Sequence, residues 1–548
     1  MKFCTKCGAQ IPDAKTKFCV KCGAKLAEEQ PKISLEKTES ESKPQSEPVK
    51  SNSVLEAMNR AKDMRAASQE SQQDQQTQQT LPIQSTQSST QETQSNQSTQ
   101  PGQSAQPKSS RKFIYVAVGV LLLVVLLGMF AGNSTTTTNS EADKYFELGI
   151  KYYNDKNYDK AIENYNKVIQ IDPNYPGVYI NRGAAYADLQ NYTQAIADYD
   201  KAIQLDPNDA IIYHNRGVTY SDLQNYNQAI ADFGKAIQLN PNSASDYHDR
   251  GVTYAKLQNY TQAIIDYDKA IQLDPNNSLA YNNRGNAYSN LENYTQAIAD
   301  YDKAIQLDPN YASAYYNRGV TYSDLQNYNQ AIADYDKAIQ LDPNYAGAYN
   351  NRGVAYNGLK NYSQAIADFD KAIQLNPNDG NAYSNRGNAY EHLKNYNQAI
   401  ADYTKAIQLG VNNTSTYFKR GSIYFNLENY NQAIIDFNKV IQIDPNDIAA
   451  YFQRALAYGN LENYNQAIAD YDKVIQLNPN DAAAYQNRGI SYFILQNYNR
   501  AITDFDKAIQ LNPNEGVAYQ VRGFAYQMLG NYARAQADFA KAKSLGVE

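Results

Sequence analysis

From Ala142 onward the sequence repeats every 34 residues, without insertion or deletion, for twelve copies of which the last is one residue short. A chain copied at such a period builds one supersecondary unit many times and stacks the copies, because no single copy can bury its own apolar face. With Ala142 counted as position 1 of a repeat, Tyr fills position 4 throughout, from Tyr145 and Tyr179 to Tyr519. Tyr also fills positions 11 and 17, as in Tyr186 and Tyr192. Position 8 is Gly in every copy except at Ala455, and position 20 is always Ala. Pro stands at position 32 in most copies, from Pro173 to Pro513, with Val411 and Val547 as departures. This copying accounts for 49 Tyr in a chain with no Trp and 3 His.

The spacing predicts two helices per copy. Positions 4, 8 and 11 share one helical stripe, and positions 20, 24 and 27 share another. The small residues at positions 8 and 20 let the helices approach closely, an aromatic ring at position 24 fills the remaining space, and Pro stops the second helix. Period and positions together resemble the tetratricopeptide repeat, over about three quarters of the chain. The resemblance implies an all-α fold, a helix-turn-helix solenoid coiled into a right-handed superhelix over 142–548. It also implies that the outward face of the first helices lines a concave groove for protein or peptide ligands.

One position departs from that family. Position 7, commonly Leu there, is Arg in eleven copies, from Arg182 to Arg522, and position 23 is Asp in the same eleven. The first copy has Leu148 and Asn164 instead. Either the two helices of a repeat are joined by an Arg–Asp bridge, or the first repeat is simply divergent. In the last copy Gln536 and Lys543 replace the Ile or Val of positions 21 and 28. A polar outer face of this kind suits a terminal repeat.

Ahead of the repeats lie three different segments. All four cysteines fall in residues 1–26, as two C-x-x-C pairs, Cys4 with Cys7 and Cys19 with Cys22. Two such pairs match the four thiolates of a closed tetrahedral zinc site, and the unit resembles a small zinc ribbon. Two disulfides or a redox pair are the competing readings. Residues 27–112 are rich in Gln, Ser, Thr, Glu and Pro, too polar to offset the entropy of ordering, and read as a disordered linker. Within it Ser53 to Arg65 reads as a transient helix or a docking segment. Residues 113–132, FIYVAVGVLLLVVLLGMFAG, carry no charge and are long enough for one transmembrane helix. Lys108, Arg111 and Lys112 precede it, and no Lys or Arg follows until Lys144. Short basic flanks stay inside, which places the N-terminus in the cytoplasm and the repeats outside it.

Nothing in the pattern indicates catalysis: no nucleophile–base spacing and no phosphate-cradling Gly loop are present. A net charge of −7 argues against polyanion binding, so no nucleic acid is expected on the solenoid. The lysines around the cysteines make the ribbon basic, without naming its partner. His214 and His248 share position 5 in adjacent repeats, where a metal pair is conceivable and incidental placement is the simpler account. At 100° per residue, positions 2, 6, 9 and 13 point away from the packing stripe, with 5 and 12 at its margins. Position 6 is Asn181, Asn215, Asn283, Asn317, Asn351, Asn385 and Asn487. A ladder of this sort resembles the inner surface of the O-GlcNAc transferase solenoid, which implies an extended peptide backbone as ligand; a soluble filler is the bland alternative. Phe418 and Phe452 at position 5, with Phe425 and Phe493 at position 12, form either an apolar contact patch or extra packing. The expected function is a membrane-anchored scaffold that captures extended peptides or assembles envelope proteins. A structural spacer or adhesive arm is the alternative.

Overall fold

The computed structural model describes residues 2–3, 10–11, 136–175 and 177–547. Two short strands, Lys2–Phe3 and Gln10–Ile11, pair antiparallel with Lys2 opposite Ile11 and Phe3 opposite Gln10. Residues 4–9, which carry Cys4 and Cys7, lie outside the described residues, as do Cys19, Cys22, the linker and the apolar segment 113–132. Among the described residues no helix is long and apolar enough to cross a membrane.

All twenty-four helices of the described residues belong to the repeats, two to each copy. The contacts divide the chain into two compact units, one holding 136–439 and the other 440–547 among the described helical residues. In the first unit, repeat 6 shows how a copy is built. Its helices are Ala312–Asp324 and Tyr328–Leu341. They close because position 8 is Gly: a Cβ built on Gly319 would sit 2.8 Å from Cε1 of Tyr335, the position-24 ring. That ring is fully buried beside Ala331 and Ala338. Aromatic rings at position 24 are buried in the same way in both units, as at Tyr267 and Phe369 in the first and Phe505 in the second.

The turn between the helices has a fixed form. Gln326 takes φ +59°, its N–H donates to Ser323 O, and the N–H of Asn327 donates to Tyr322 O. This left-handed closure satisfies carbonyls that the helix end leaves open. The same left-handed residue recurs at position 15 in every copy, as Gln, Glu or Lys in eleven and as Gly530 in the last. Asn then caps the second helix, by its side chain at Asn191 and Asn259. Most second helices end at an extended Asp or Asn, such as Asp342, because the Pro that follows disfavours helical backbone there.

Of the two readings of positions 7 and 23, the bridge is what the fold contains. In each of repeats 2 to 12 the Arg donates from Nε and Nη2 to both oxygens of its own repeat's Asp, as Arg216 does to Asp232 at 2.7 Å each. Nη1 reaches further, to position 25 of the preceding repeat: Arg284 to Asp268 at 2.6 Å, and Arg522 to Asp506 at 2.6 Å in the second unit. One guanidinium thereby ties together two helices of its own repeat and one of the repeat before. Gly234 removes the side chain at that position ahead of Arg250, whose Nη1 lies 3.8 Å from where a Cβ would stand. The guanidinium also lies over the position-4 Tyr ring, 5.7 Å away for Arg318 and Tyr315.

Candidate functional site

The first helices carry the predicted ladder, and stacking places it more deeply than a single helix suggests. Asn181 and Asn215 are buried, as is Asn487 in the second unit, whose Nδ2 donates to Ala483 O of its own helix at 2.8 Å. Asn283, Asn317, Asn351 and Asn385 are partly buried. Each of these four donates from Nδ2 to the position-5 side chain of the repeat before it. Asn283 reaches His248 Nε2 at 3.0 Å and Asn317 reaches Asn282 Oδ1 at 2.9 Å. Asn351 reaches the Tyr316 hydroxyl at 3.0 Å and Asn385 reaches Asn350 Oδ1 at 3.1 Å. Two rungs are extended sideways, since Asn282 donates to Asn283 Oδ1 at 3.2 Å and Asn350 donates to Asn351 Oδ1 at 3.1 Å. A polar seam therefore runs along four adjacent repeats of the first unit. A carboxamide has two N–H donors and an oxygen with two lone pairs, so each rung keeps capacity for a ligand after this bond.

The histidine pair lies at the N-terminal end of this seam. His214 Nδ1 is 2.6 Å from Asp246 Oδ1, with both residues buried. His248 Nδ1 is 3.1 Å from Asp249 Oδ1. The first pairing joins repeats 3 and 4 and the second lies within repeat 4, and no His, Cys, Asp and Glu group among the described residues is arranged to hold a metal.

The four phenylalanines are set against rings of their own repeats. In the first unit Phe418 packs 5.6 Å from Phe437 and Phe425 packs 5.3 Å from Tyr430, both partly buried. In the second unit Phe452 packs 5.7 Å from Tyr471 and Phe493 packs 5.5 Å from Tyr498, and both are buried. Position 5 leans on the position-24 ring and position 12 on the position-17 ring, which draws these side chains inward.

One set of participants escaped the sequence reading, and a further residue was read there only as an interruption of the ladder. The position-25 carboxylates that complete the bridge at seven of the eleven arginines were legible as Asp200, Asp268, Asp302, Asp336, Asp370, Asp472 and Asp506, recurring 16 residues before an Arg. Lys419, which interrupts the ladder, proves to be partly buried, and burial pushes its ammonium below the ordinary lysine value against the pull of Glu391.

Comparison with known proteins follows the same division of the chain. Tetratricopeptide repeat models match 142–190, 185–224 and 251–292, eight single repeats between 210 and 515, and 505–537. A zinc-ribbon domain model matches residues 3–26. No curated protein shows significant similarity to the chain. Similar solved structures include YrrB, described as a TPR protein with an unusual peptide-binding site, at 27% identity over 34% of this chain and 95% of that one, with a TM-score of 0.33. MamA is 29% identical over 30% of this chain and 91% of its own, with a TM-score of 0.29. A tetratricopeptide repeat protein from Parabacteroides merdae is 22% identical over 45% and 98%, with a TM-score of 0.37.

Proposed function

Because the chain belongs to the tetratricopeptide repeat family and carries an N-terminal zinc-ribbon domain, we propose that it is a membrane-anchored scaffold whose first-helix face holds an extended peptide. The observation that carries this reading is the seam at Asn283, Asn317, Asn351 and Asn385, the same carboxamide on four adjacent repeats at partly buried positions. First helices stacked at roughly 10 Å meet an extended backbone near every third residue, at about 3.3 Å per residue. Carboxamides suit backbone amides whatever the side chains are. Phe418 and Phe425 would add a preference for apolar residues, and the buried Asn181 and Asn215 would support the wall, while Asn487, Phe452 and Phe493 are buried within the second unit.

In this proposal Phe113 to Gly132 spans the membrane, with the ribbon in the cytoplasm and the repeats outside it. Cys4, Cys7, Cys19 and Cys22 would hold one zinc ion as four thiolates, a closed set that leaves no position open for catalysis and stabilises the small fold. A second reading, the structural spacer, draws on the same seam, since its Nδ2 bonds join repeat to repeat. Calorimetry with a peptide captured by the full chain separates the two. Asn317, Asn351 and Asn385 changed together to Ala should weaken binding about tenfold or more, at about 0.5–1.5 kcal/mol per neutral hydrogen bond. Unchanged affinity with the helices intact would leave the spacer.

A further inference from the structure

The ladder ends at Lys419, on the helix Thr414–Asn426 that opens repeat 9. The repeat before it also breaks pattern. Its second helix, Tyr396–Gln408, is one residue shorter than Tyr362–Leu375 of repeat 7, and it closes through Gly410 at φ +94° where ten other copies reach Asp-Pro or Asn-Pro. Beside this junction repeats 7, 8 and 9 surround a depression of about 480 Å³. Its wall is mostly carboxamide and hydroxyl, with Asn357, Asn385, Asn388, Ser415, Thr416 and Lys419 among its residues.

Two groups in that wall lack a partner suited to their burial. Lys419 makes no ion pair among the described residues, and nearby Glu391 accepts instead from the Tyr403 hydroxyl at 2.7 Å. Oδ1 of Asn357 is buried without a hydrogen bond, its orientation set by Nδ2, which donates to Asn385 O at 3.5 Å. A partly buried ammonium and a buried carbonyl oxygen each destabilise a fold when unpaired. Their needs are opposite: the ammonium requires an anionic acceptor, and the oxygen requires a donor.

An extended peptide loses its footing beyond Asn385, because repeat 9 supplies no carboxamide at position 6. We propose that the depression binds a small anionic polyol, a sugar bearing a carboxylate or phosphate, with Lys419 receiving the anionic oxygens and the Asn357 carboxamide turning to offer its Oδ1 to a hydroxyl. The carboxamide of Asn388 and the hydroxyls of Ser415 and Thr416 both donate and accept, as neighbouring sugar hydroxyls require. The volume falls among small-molecule sites, which run from about 300 to 1,000 Å³. The site stands independently of the peptide reading.

Calorimetry on the full chain tests it with glucuronate, glucose 6-phosphate, glucose, inorganic phosphate and an N-acetylated tetrapeptide containing Glu. At least one acidic sugar should bind with Kd below about 1 mM, and glucose and inorganic phosphate should each bind about tenfold more weakly, as for a lost charged or hydrogen-bonded contact. Binding of glucuronate against that of glucose 6-phosphate tells which anion the site prefers. Lys419→Met should abolish the preference for acidic sugar over glucose. Asn357→Leu should weaken the acidic sugar about tenfold and leave inorganic phosphate unchanged. Circular dichroism and hydrogen exchange over 380–426 confirm that both variants are folded. Phosphate binding as tightly as glucose 6-phosphate, the peptide outcompeting both acidic sugars, or no sugar binding at about 10 mM would each overturn the assignment.

Discussion

The Arg bridge makes two carboxylates on one guanidinium unequal, and repeat 6 allows the difference to be measured. Asp334 is buried and takes two hydrogen bonds from Arg318, 2.8 Å from Nε and 2.6 Å from Nη2. Asp302, on the preceding repeat, pairs with Nη1 of the same residue, but its side chain is 54% exposed. The hydrogen bonds that Arg318 donates to Asp334 hold its guanidinium above the ordinary value, although burial opposes them. Asp334→Ala therefore strands a largely buried cation. Breaking a buried pair from one side costs about 3–5 kcal/mol. The lower end applies, since the Arg318 side chain is 20% exposed and keeps Asp302. Asp302→Ala removes a solvent-screened partner, for which about 0–1 kcal/mol is expected. Stability in a solenoid is a sum of local terms, so the readout is hydrogen exchange over 312–341 rather than a global melt. Asp334→Ala should lose protection there by about 100-fold, and Asp302→Ala by less than about fivefold, at 1.4 kcal/mol per decade. Arg318→Met combined with Asp334→Leu should recover most of the loss, because apolar replacement of a buried pair is close to neutral. Equal losses in the two single variants, or a loss below about fivefold for Asp334→Ala, would refute the idea that the buried carboxylate anchors the repeat.

Gly234→Asp should supply the carboxylate that Arg250 lacks and stabilise repeats 3 and 4 by about 0.5–1 kcal/mol, part of it from replacing Gly within a helix; a Gly234→Ala control matching it in hydrogen exchange would show that the ion pair adds nothing. Lys419 has its folded value lowered by burial, so its charge destabilises the fold at neutral pH, and that effect fades as pH rises through the folded value towards 10.5. Lys419→Met should accordingly raise the urea midpoint at pH 7 and lose its advantage near pH 10.5; a constant advantage would exclude titration of Lys419 as the cause. Native mass spectrometry of the full chain should find one zinc, lost with chelator or in Cys4→Ser, and backbone amides of 1–26 should then exchange freely, since zinc supplies about 10–16 kcal/mol in modules of this size. Protease added to intact cells should remove the repeats and spare the ribbon, and the reverse pattern would invert the orientation drawn from Lys108, Arg111 and Lys112.

The helix pair was legible because it depends on contacts within one repeat. Gly319 beneath Tyr335, Ala331 at the crossing and the Pro after Asp342 each act over fewer than 34 residues, and the Ala recurs in twelve copies, the Gly in eleven and the Pro in ten. The Arg–Asp pair was legible for that reason too, through its joint absence at Leu148 and Asn164. Its second half was harder to see, because Nη1 crosses to the repeat before. Asp302 to Arg318 spans 16 residues, the same separation as Arg318 to Asp334, so a single spacing conceals two different contacts. The turn residue at position 15 gives no compositional signal in eleven copies, since Gln, Glu and Lys replace the Gly that φ near +60° favours and that stands only at Gly530.

Burial along the ladder was misjudged for a related physical reason. Projection on one helix assigns position 6 to the side away from its partner, which is correct for an isolated pair. In the stack a second first helix arrives alongside, and the position-5 side chain of one repeat meets position 6 of the next, 35 residues on. Whether a carboxamide there serves cohesion or a ligand is then a matter of which of its hydrogen-bonding groups remain available. Along Asn283 to Asn385 the same Nδ2 is used each time, against partners as different as His, Asn and Tyr. A position that tolerates such varied neighbours is constrained by its own chemistry more than by theirs. Asn283, Asn317, Asn351 and Asn385 therefore hold each repeat to the one before, in the function proposed above their remaining donor and lone pairs would serve the ligand, and Lys419 marks the point where the first task is relinquished.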